Sequence, residues 1–281
     1  MERLTVDHPG GAVPDLPGTY EFKDASGTVI YVGKANSLRK RLAQYRKPPR
    51  GNRGRKMRTI VTEASKLNWS ICASELSALE RELERIQELR PRHNISGAFF
   101  FLYPFIGIET SGSDLRLCFS TTQEQDGSFT LFGAFRSRIL TMAAFEALSE
   151  LAGYFGHRQK RSTSDRAKDK PYSIYASFRQ QPPLFTRGII RFLQGERQWL
   201  SEVSLSLLEK PTARRDAKLV QDWLQALECF FDEDLAPLLI AMRQQGLSFP
   251  VIQRDLDLIK LRARNQDDEP QALYRASALS R

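Results

Sequence analysis

Cysteine and histidine are scarce in this 281-residue sequence, with three of each. Cys72, Cys118 and Cys229 stand far apart and form no C-x-x-C pair. That excludes a disulfide framework, a four-cysteine zinc site and a cysteine-ligated iron–sulfur cluster within one chain. His8, His93 and His157 are too few for a histidine-rich metal centre. No apolar run approaches the roughly 20 residues a bilayer span needs, and MERLTVDHPGG at the start holds no apolar signal segment. The chain is therefore expected to be soluble and cytoplasmic, with no membrane partner. At 41% hydrophobic residues it has enough apolar side chains to build real cores.

One absence is local. Between Lys34 and Arg58 there is no acidic residue, while Lys34, Arg39, Lys40, Arg41, Arg46, Lys47, Arg50, Arg53, Arg55, Lys56 and Arg58 are all basic. This single stretch holds more positive charge than the +9 of the whole chain. A polyanion is the partner such a segment suits.

The pattern predicts an α+β fold. TYEFK (19–23) and TVIYV (28–32) flank the turn signal Asp24-Ala25-Ser26-Gly27 and predict a β-hairpin. In a bulge-free register Tyr20 faces Tyr31 and Phe22 faces Val29. Asn36 or Ser37 caps a helix running to about Tyr45, and KPPRGNRGR (47–55) reads as a loop. A helix over 56–65, a strand over 68–73 and a helix from Glu75 to Leu89, stopped by Pro91, follow. Residues 12–98 are thus expected to form one compact module and 99–156 a β-rich connecting region ending in a helix. Residues 157–183 read as a linker or mobile loop, 184–265 as a helical domain and 266–281 as a frayed tail.

On the helix at 75–89, taking Leu79 as the origin and 100° per residue, Leu76, Leu83, Ile86 and Leu89 mark the core-facing arc, at about 60°, 40°, 340° and 280°. Glu80, Glu84 and Glu88 point to solvent, but Glu82 falls at about 300°, inside the apolar arc. Glu75 lies near the arc too, in the first turn, where a carboxylate favours the helix N-terminus. Two readings of Glu82 are open: an ion pair with Arg or Lys, or a metal ligand or general base lining a cleft. Tyr20 and Tyr31 alone read as hairpin core, and Arg41 alone as a solvated basic face.

In combination these residues say more. Pro17-Gly18-Thr19-Tyr20, then Tyr31-Val32-Gly33-Lys34, Arg41, Glu82 and Asn94 resemble the GIY-YIG nuclease superfamily. Within it, the stretches PGTYEFKDASGTVIYVGKANSLRKRLAQY and SELSALERELERIQELRPRHNI are similar to the N-terminal nuclease domain of UvrC and its shorter paralogue Cho. GIY reads GTY, YIG reads YVG, and His93 replaces the family's usual Tyr. The resemblance covers roughly 14–98 and is fainter beyond, where the UvrC cysteine cluster and second nuclease are missing.

The resemblance implies a phosphodiester hydrolase acting on DNA with one divalent metal ion, Mg²⁺ or Mn²⁺, held by Glu82. It implies Tyr20 or Tyr31 as the group that deprotonates or orients the attacking water, Lys34 as its electrostatic support and Arg41 on the phosphate oxygens. Gly33, Tyr45 and Asn94 would support the site. Lys40, Arg46, Lys47, Arg50, Arg53, Arg55 and Lys56 would track the DNA backbone. It also implies incision beside a lesion with UvrB as loader. Two alternatives stay open: a GIY-YIG nuclease of a mobile element or restriction system, and an inactive DNA-binding module.

Overall fold

The computed structural model describes residues 5–6, 12–95, 97–123, 128–159 and 173–263. The chain divides into two units, Met1–Phe100 and Phe101–Arg281.

The first unit is built on a four-stranded sheet, in the order β1-β4-β2-β3. Its strands are β1 (Thr5–Val6), β2 (Gly18–Lys23), β3 (Val29–Ala35) and β4 (Lys66–Ile71). Strands β2 and β3 form the hairpin, and β3 lies at the sheet's edge. The register differs from the bulge-free expectation: Tyr20 pairs with Gly33 and Phe22 with Tyr31, while Lys23 pairs with Val29. Two features cause the offset. The turn closes one residue later, with the Asp24 N–H donating to the Thr28 carbonyl, and a bulge then makes Ile30 an extra residue. Because the total shift is two residues, Tyr31 keeps its face. The bulge also puts Ile30 and Tyr31 on the same side, against the Tyr20 core, while Val29 and Val32 join the opposite one.

Three helices cover this sheet. Helix α1 (Leu38–Arg46) starts at Ser37, whose hydroxyl accepts the Lys40 N–H, and buries Leu38, Leu42 and Tyr45. Helix α2 (Arg55–Glu63) buries Ile60. With Tyr20, Phe22, Ile30 and Trp69 they make the larger core. Helix α3 (Glu75–Leu89) opens on a capping box between Ser74 and Ser77 and ends at Arg90 in the left-handed region, directly before Pro91. Its buried residues include Ala78 and Ile86, at i and i+8, with Val32 of β3 in the same cluster as Ile86. Leu89, expected in the core arc, is 36% exposed, because the helix ends there.

The second unit holds an antiparallel sheet of β5 (Phe105–Ser111), β6 (Asp114–Ser120), β7 (Thr130–Gly133), β8 (His157–Arg158) and β9 (Ser173–Arg179), in the order β7-β5-β6-β9-β8. Helix α4 (Arg138–Gly153) contributes Ala144, Phe145, Leu148 and Leu151 to its core. Helices α5 (Pro183–Leu193), α6 (Trp199–Leu208), α7 (Pro211–Arg215), α8 (Ala217–Phe230) and α9 (Ala236–Gln244) follow. A π-helical turn, Phe231–Leu235, joins α8 to α9.

This corrects two expectations. Ser173–Arg179 is not linker but a strand, pairing with β6 from Leu115↔Phe178 to Ser120↔Ser173. Nor do the helices after 183 form a core of their own: Phe185, Phe192, Trp199 and Phe230 belong to the cluster that holds Phe105, Leu117 and Phe119 of the sheet. One contact knits these layers polarly. Asp234, 2% exposed, accepts from the Ser137 N–H at 2.7 Å and from Lys260 Nζ at 2.6 Å. Residues 160–172 of the expected linker and the expected tail 266–281 lie outside the described residues. Among the described residues no helix is long and apolar enough to cross a membrane.

Candidate active site

The edge strand β3 positions the site, and Asn94 fixes β3. The Asn94 amide accepts the Val32 N–H and donates to the Val32 carbonyl, both at 2.9 Å. It thus pairs with the edge as a neighbouring strand would, between Tyr31 and Gly33. His93 donates its backbone N–H to the Ile30 carbonyl, and its ring Nε2 lies 2.9 Å from Glu63 Oε2. That carboxylate also takes Arg92 at 2.8 Å, and Arg92 reaches Asp24 of the hairpin turn at 3.0 Å. The His that replaces the family's Tyr therefore ties α2 to the hairpin.

Above β3, three tyrosines converge. Tyr20 is 1% exposed, and its hydroxyl lies 3.2 Å from that of Tyr45. Arg41 Nε donates to the same Tyr20 hydroxyl at 3.0 Å, and its Nη1 donates to Gln44 Oε1 at 2.8 Å. The Arg41 guanidinium also sits 5.6 Å from the Tyr45 ring centroid. Tyr31 lies beside Tyr20 with ring centroids 6.1 Å apart and keeps partial exposure. Burial, then the neighbouring Tyr20, push the Tyr31 phenol up to about 12, and burial likewise raises Tyr45.

Gly33 makes this arrangement possible. A Cβ there would lie 2.5 Å from both Cζ and the hydroxyl oxygen of Tyr20, so the ring packs directly on the strand backbone. Gly33→Ala is expected to displace Tyr20 and destabilise the first unit by about 1–3 kcal/mol, the range for overpacking a filled core. Denaturant unfolding checks this; a wild-type midpoint would contradict the packing described.

Below β3, Glu82 occupies the packed face of α3 between Ala78 and Ile86, one turn from each. Its carboxylate accepts the backbone N–H of Lys34, and its other influences are the cations Lys34, Arg41 and Lys56. Burial nonetheless outweighs them and raises its pKa. Of the two readings of Glu82, the ion pair is the one the described residues do not realise. Glu75 instead takes that role: its carboxylate binds Lys34 Nζ and Asn36 Nδ2, each at 2.6 Å, which lowers its own pKa. Sequence reasoning assigned Glu75 only to the helix terminus. Its angular position beside Glu82 was the signal that it also faces β3.

The structure thus brings Tyr20, Tyr31, Lys34, Arg41, Tyr45, Lys56 and Glu82 into one electrostatic neighbourhood. Lys40, Arg46, Lys47, Arg50 and Arg55 are exposed and take no part in these contacts. The side chain of Arg53 lies outside the described residues. The stretch expected as a plain loop contains a short 3₁₀ turn, Asn52–Gly54. Arg58 holds it by donating to the Pro49 carbonyl at 2.5 Å and the Gly51 carbonyl at 2.8 Å.

Among the described residues no three carboxylate, imidazole or thiol side chains converge. The donor set here is one carboxylate with hydroxyl neighbours, which suits a hard cation that keeps most of its ligands as water or substrate oxygen. A half-buried carboxylate whose pKa is raised despite three nearby cations is also one that a divalent ion would stabilise in its charged form.

Residues 16–95 match the family model of the UvrC-like GIY-YIG domain. The UvrABC system protein C of Streptomyces avermitilis is 42% identical over 98 residues, which are 35% of this chain and 14% of that protein. The UvrABC system protein C of Moorella thermoacetica is 33% identical over 159 residues, 57% of this chain and 25% of that protein. The latter match is longer than the first unit, so it extends into the second. The chain spans between about a seventh and a quarter of the length of these two relatives. Among solved structures, the GIY-YIG N-terminal endonuclease domain of UvrC from Thermotoga maritima, bound to its catalytic magnesium, is 35% identical, with a TM-score of 0.27. It covers 30% of this chain, and 88% of that chain is matched.

Proposed function

We propose that this chain, whose residues 16–95 are a GIY-YIG domain of UvrC type, is a metal-dependent DNA endonuclease that cuts one strand beside a lesion, as in UvrC-like and Cho-like excision repair. The observation that carries the reading is the cluster along the β3 edge: a half-buried carboxylate, an arginine fork and a partly exposed tyrosine at one place.

Each residue has a task that follows from its surroundings. Tyr20 is buried, with its hydroxyl committed to Arg41 and Tyr45, so it orients Arg41 and does not meet the attacking water. Tyr31 keeps partial exposure and orients that water or takes its proton. A phenol held near 12 is a weak base at neutral pH, so adjacent positive charge must share the load. Arg41 has N–H groups left beyond those given to Tyr20 and Gln44, and these bind the non-bridging phosphate oxygens. Lys34 is held by Glu75 at the same edge, where its charge acts on Glu82. Mg²⁺ or Mn²⁺, bound through Glu82, would supply charge neutralisation at the phosphate and the departing 3′ oxygen.

The exposed cations Lys40, Arg46, Lys47, Arg50 and Arg55 hold the duplex backbone. Lys47→Gln with Arg50→Gln is expected to lower the slope of log affinity against log salt by about 0.9 per lost phosphate contact. Binding isotherms across a salt series check it; an unchanged slope would remove the loop from the interface.

The repair reading is tested by incision of a lesion-bearing duplex with and without UvrA and UvrB. Cutting that depends on the lesion and on UvrB supports it. A repeatable cut in undamaged duplex by the chain alone would favour a self-sufficient GIY-YIG nuclease.

A further inference from the structure

Lys56 stands apart from the other cations of the basic stretch. It is the second residue of α2, and its Nζ lies 5.1 Å from the centroid of the Tyr31 ring. Its charge also acts on the Glu82 carboxylate, together with those of Lys34 and Arg41. Among the described side chains of the 47–58 stretch, no other cation is placed against both groups. The groups facing Tyr31 are then Tyr20 from β2, Arg41 and Tyr45 from α1, Lys56 from α2 and Glu82 from α3.

The placement runs against helix electrostatics. The N-terminus of a helix disfavours cations, yet α2 opens with Arg55, Lys56 and Arg58 and has no acidic residue in its first turn. Its N-cap, Gly54, offers no side-chain cap, and a Cβ at that position would lie 1.8 Å from the Pro49 carbonyl oxygen, so no capping side chain fits. The Arg55 N–H bonds back to the Asn52 carbonyl of the preceding 3₁₀ turn, so what this helix start offers an anion is its cationic side chains, with no carboxylate among them. Lys56 is directed from that start to Tyr31 and Glu82, the groups that flank the reacting phosphate in the proposed mechanism.

We infer that Lys56 is a catalytic residue that binds the scissile phosphate with Arg41, and that it is not one of the cations that track the duplex backbone. This rests on the endonuclease reading. A backbone cation acts on affinity, whereas a cation aimed at the reacting phosphate acts on the developing charge.

The experiment compares wild type with Lys56→Met and Lys56→Arg in two measurements. Single-turnover cleavage at saturating duplex is expected to slow about 100-fold in Lys56→Met, with DNA affinity changed by less than about threefold. Lys56→Arg, which keeps the charge and can stack on Tyr31, is expected to retain most of the rate. Titration of the DNA-free protein with Mn²⁺ alone is expected to show binding tighter by about threefold or more in Lys56→Met, since a repelling cation beside Glu82 is gone. Weaker DNA affinity at a wild-type saturated rate would overturn the inference, as would Mn²⁺ affinity that does not change. If the wild type cuts nothing, the endonuclease reading fails instead, and the Mn²⁺ titration still decides whether Lys56 acts at Glu82.

Discussion

Glu82→Gln is expected to abolish metal-dependent cleavage, a loss on the order of 1,000-fold or more, since it removes the several kcal/mol a bound metal ion contributes. The substitution keeps the side chain's shape and removes only its charge. Because burial already disfavours that charge in the folded protein, the variant should unfold at the wild-type temperature or slightly above it. DNA affinity without metal should change little, as Glu82 faces β3 and the exposed cations lie elsewhere. Cleavage assays, thermal melts and DNA binding on the same preparation separate these effects. Full cleavage by Glu82→Gln would place the metal, and the active site with it, somewhere else.

Arg41→Met is expected to slow cleavage by about 100- to 1,000-fold, the scale for removing a preorganised donor from a developing negative charge. Two losses combine. The phosphate loses its planar fork, and the Tyr20 hydroxyl loses its 3.0 Å donor, leaving Tyr45 as its partner. Arg41→Lys should not restore the rate, because a single ammonium cannot serve Tyr20, Gln44 and a phosphate at once. The comparison to make is the saturated rate against DNA affinity for both variants. A loss confined to affinity would make Arg41 a backbone contact.

Several parts of this architecture were legible in the sequence for physical reasons. The helix from Glu75 to Leu89 was expected to stop before Pro91, and its observed ends match the expected ones. Angular arithmetic on that helix put Glu82 within the packed face, and its neighbours one turn away, Ala78 and Ile86, are buried. The order of glycine, tyrosine, lysine and arginine around the hairpin carried the resemblance to the GIY-YIG superfamily, and residues 16–95 match the UvrC-like model of that domain.

Other parts depend on contacts that local pattern does not encode. The hairpin register hinged on where the Asp24 turn closes and on a bulge at Ile30, each a one-residue matter. Strand β9 pairs with β6 across more than fifty residues of sequence, and the charged stretch before it masked its alternation. The shared core of the second unit joins sheet residues such as Phe105 to helix residues such as Phe230, a link between distant segments. Lys56 looked like one more cation in a basic run, and its contact with the Tyr31 ring depends on tertiary packing. Asn94 was read as a supporting residue from the resemblance alone; its two bonds to Val32 join segments 62 residues apart, which local pattern does not encode.

The β3-edge cluster is proposed to hydrolyse one strand of DNA with a metal held by Glu82. The most direct measurement uses a lesion-bearing duplex labelled on either strand, incubated with wild type or Glu82→Gln in Mg²⁺, Mn²⁺ or chelator, with UvrA and UvrB supplied. A cut in one strand only is expected with wild type and metal, and none with chelator or Glu82→Gln. Cleavage that survives chelation, or that Glu82→Gln performs as well as wild type, would contradict it.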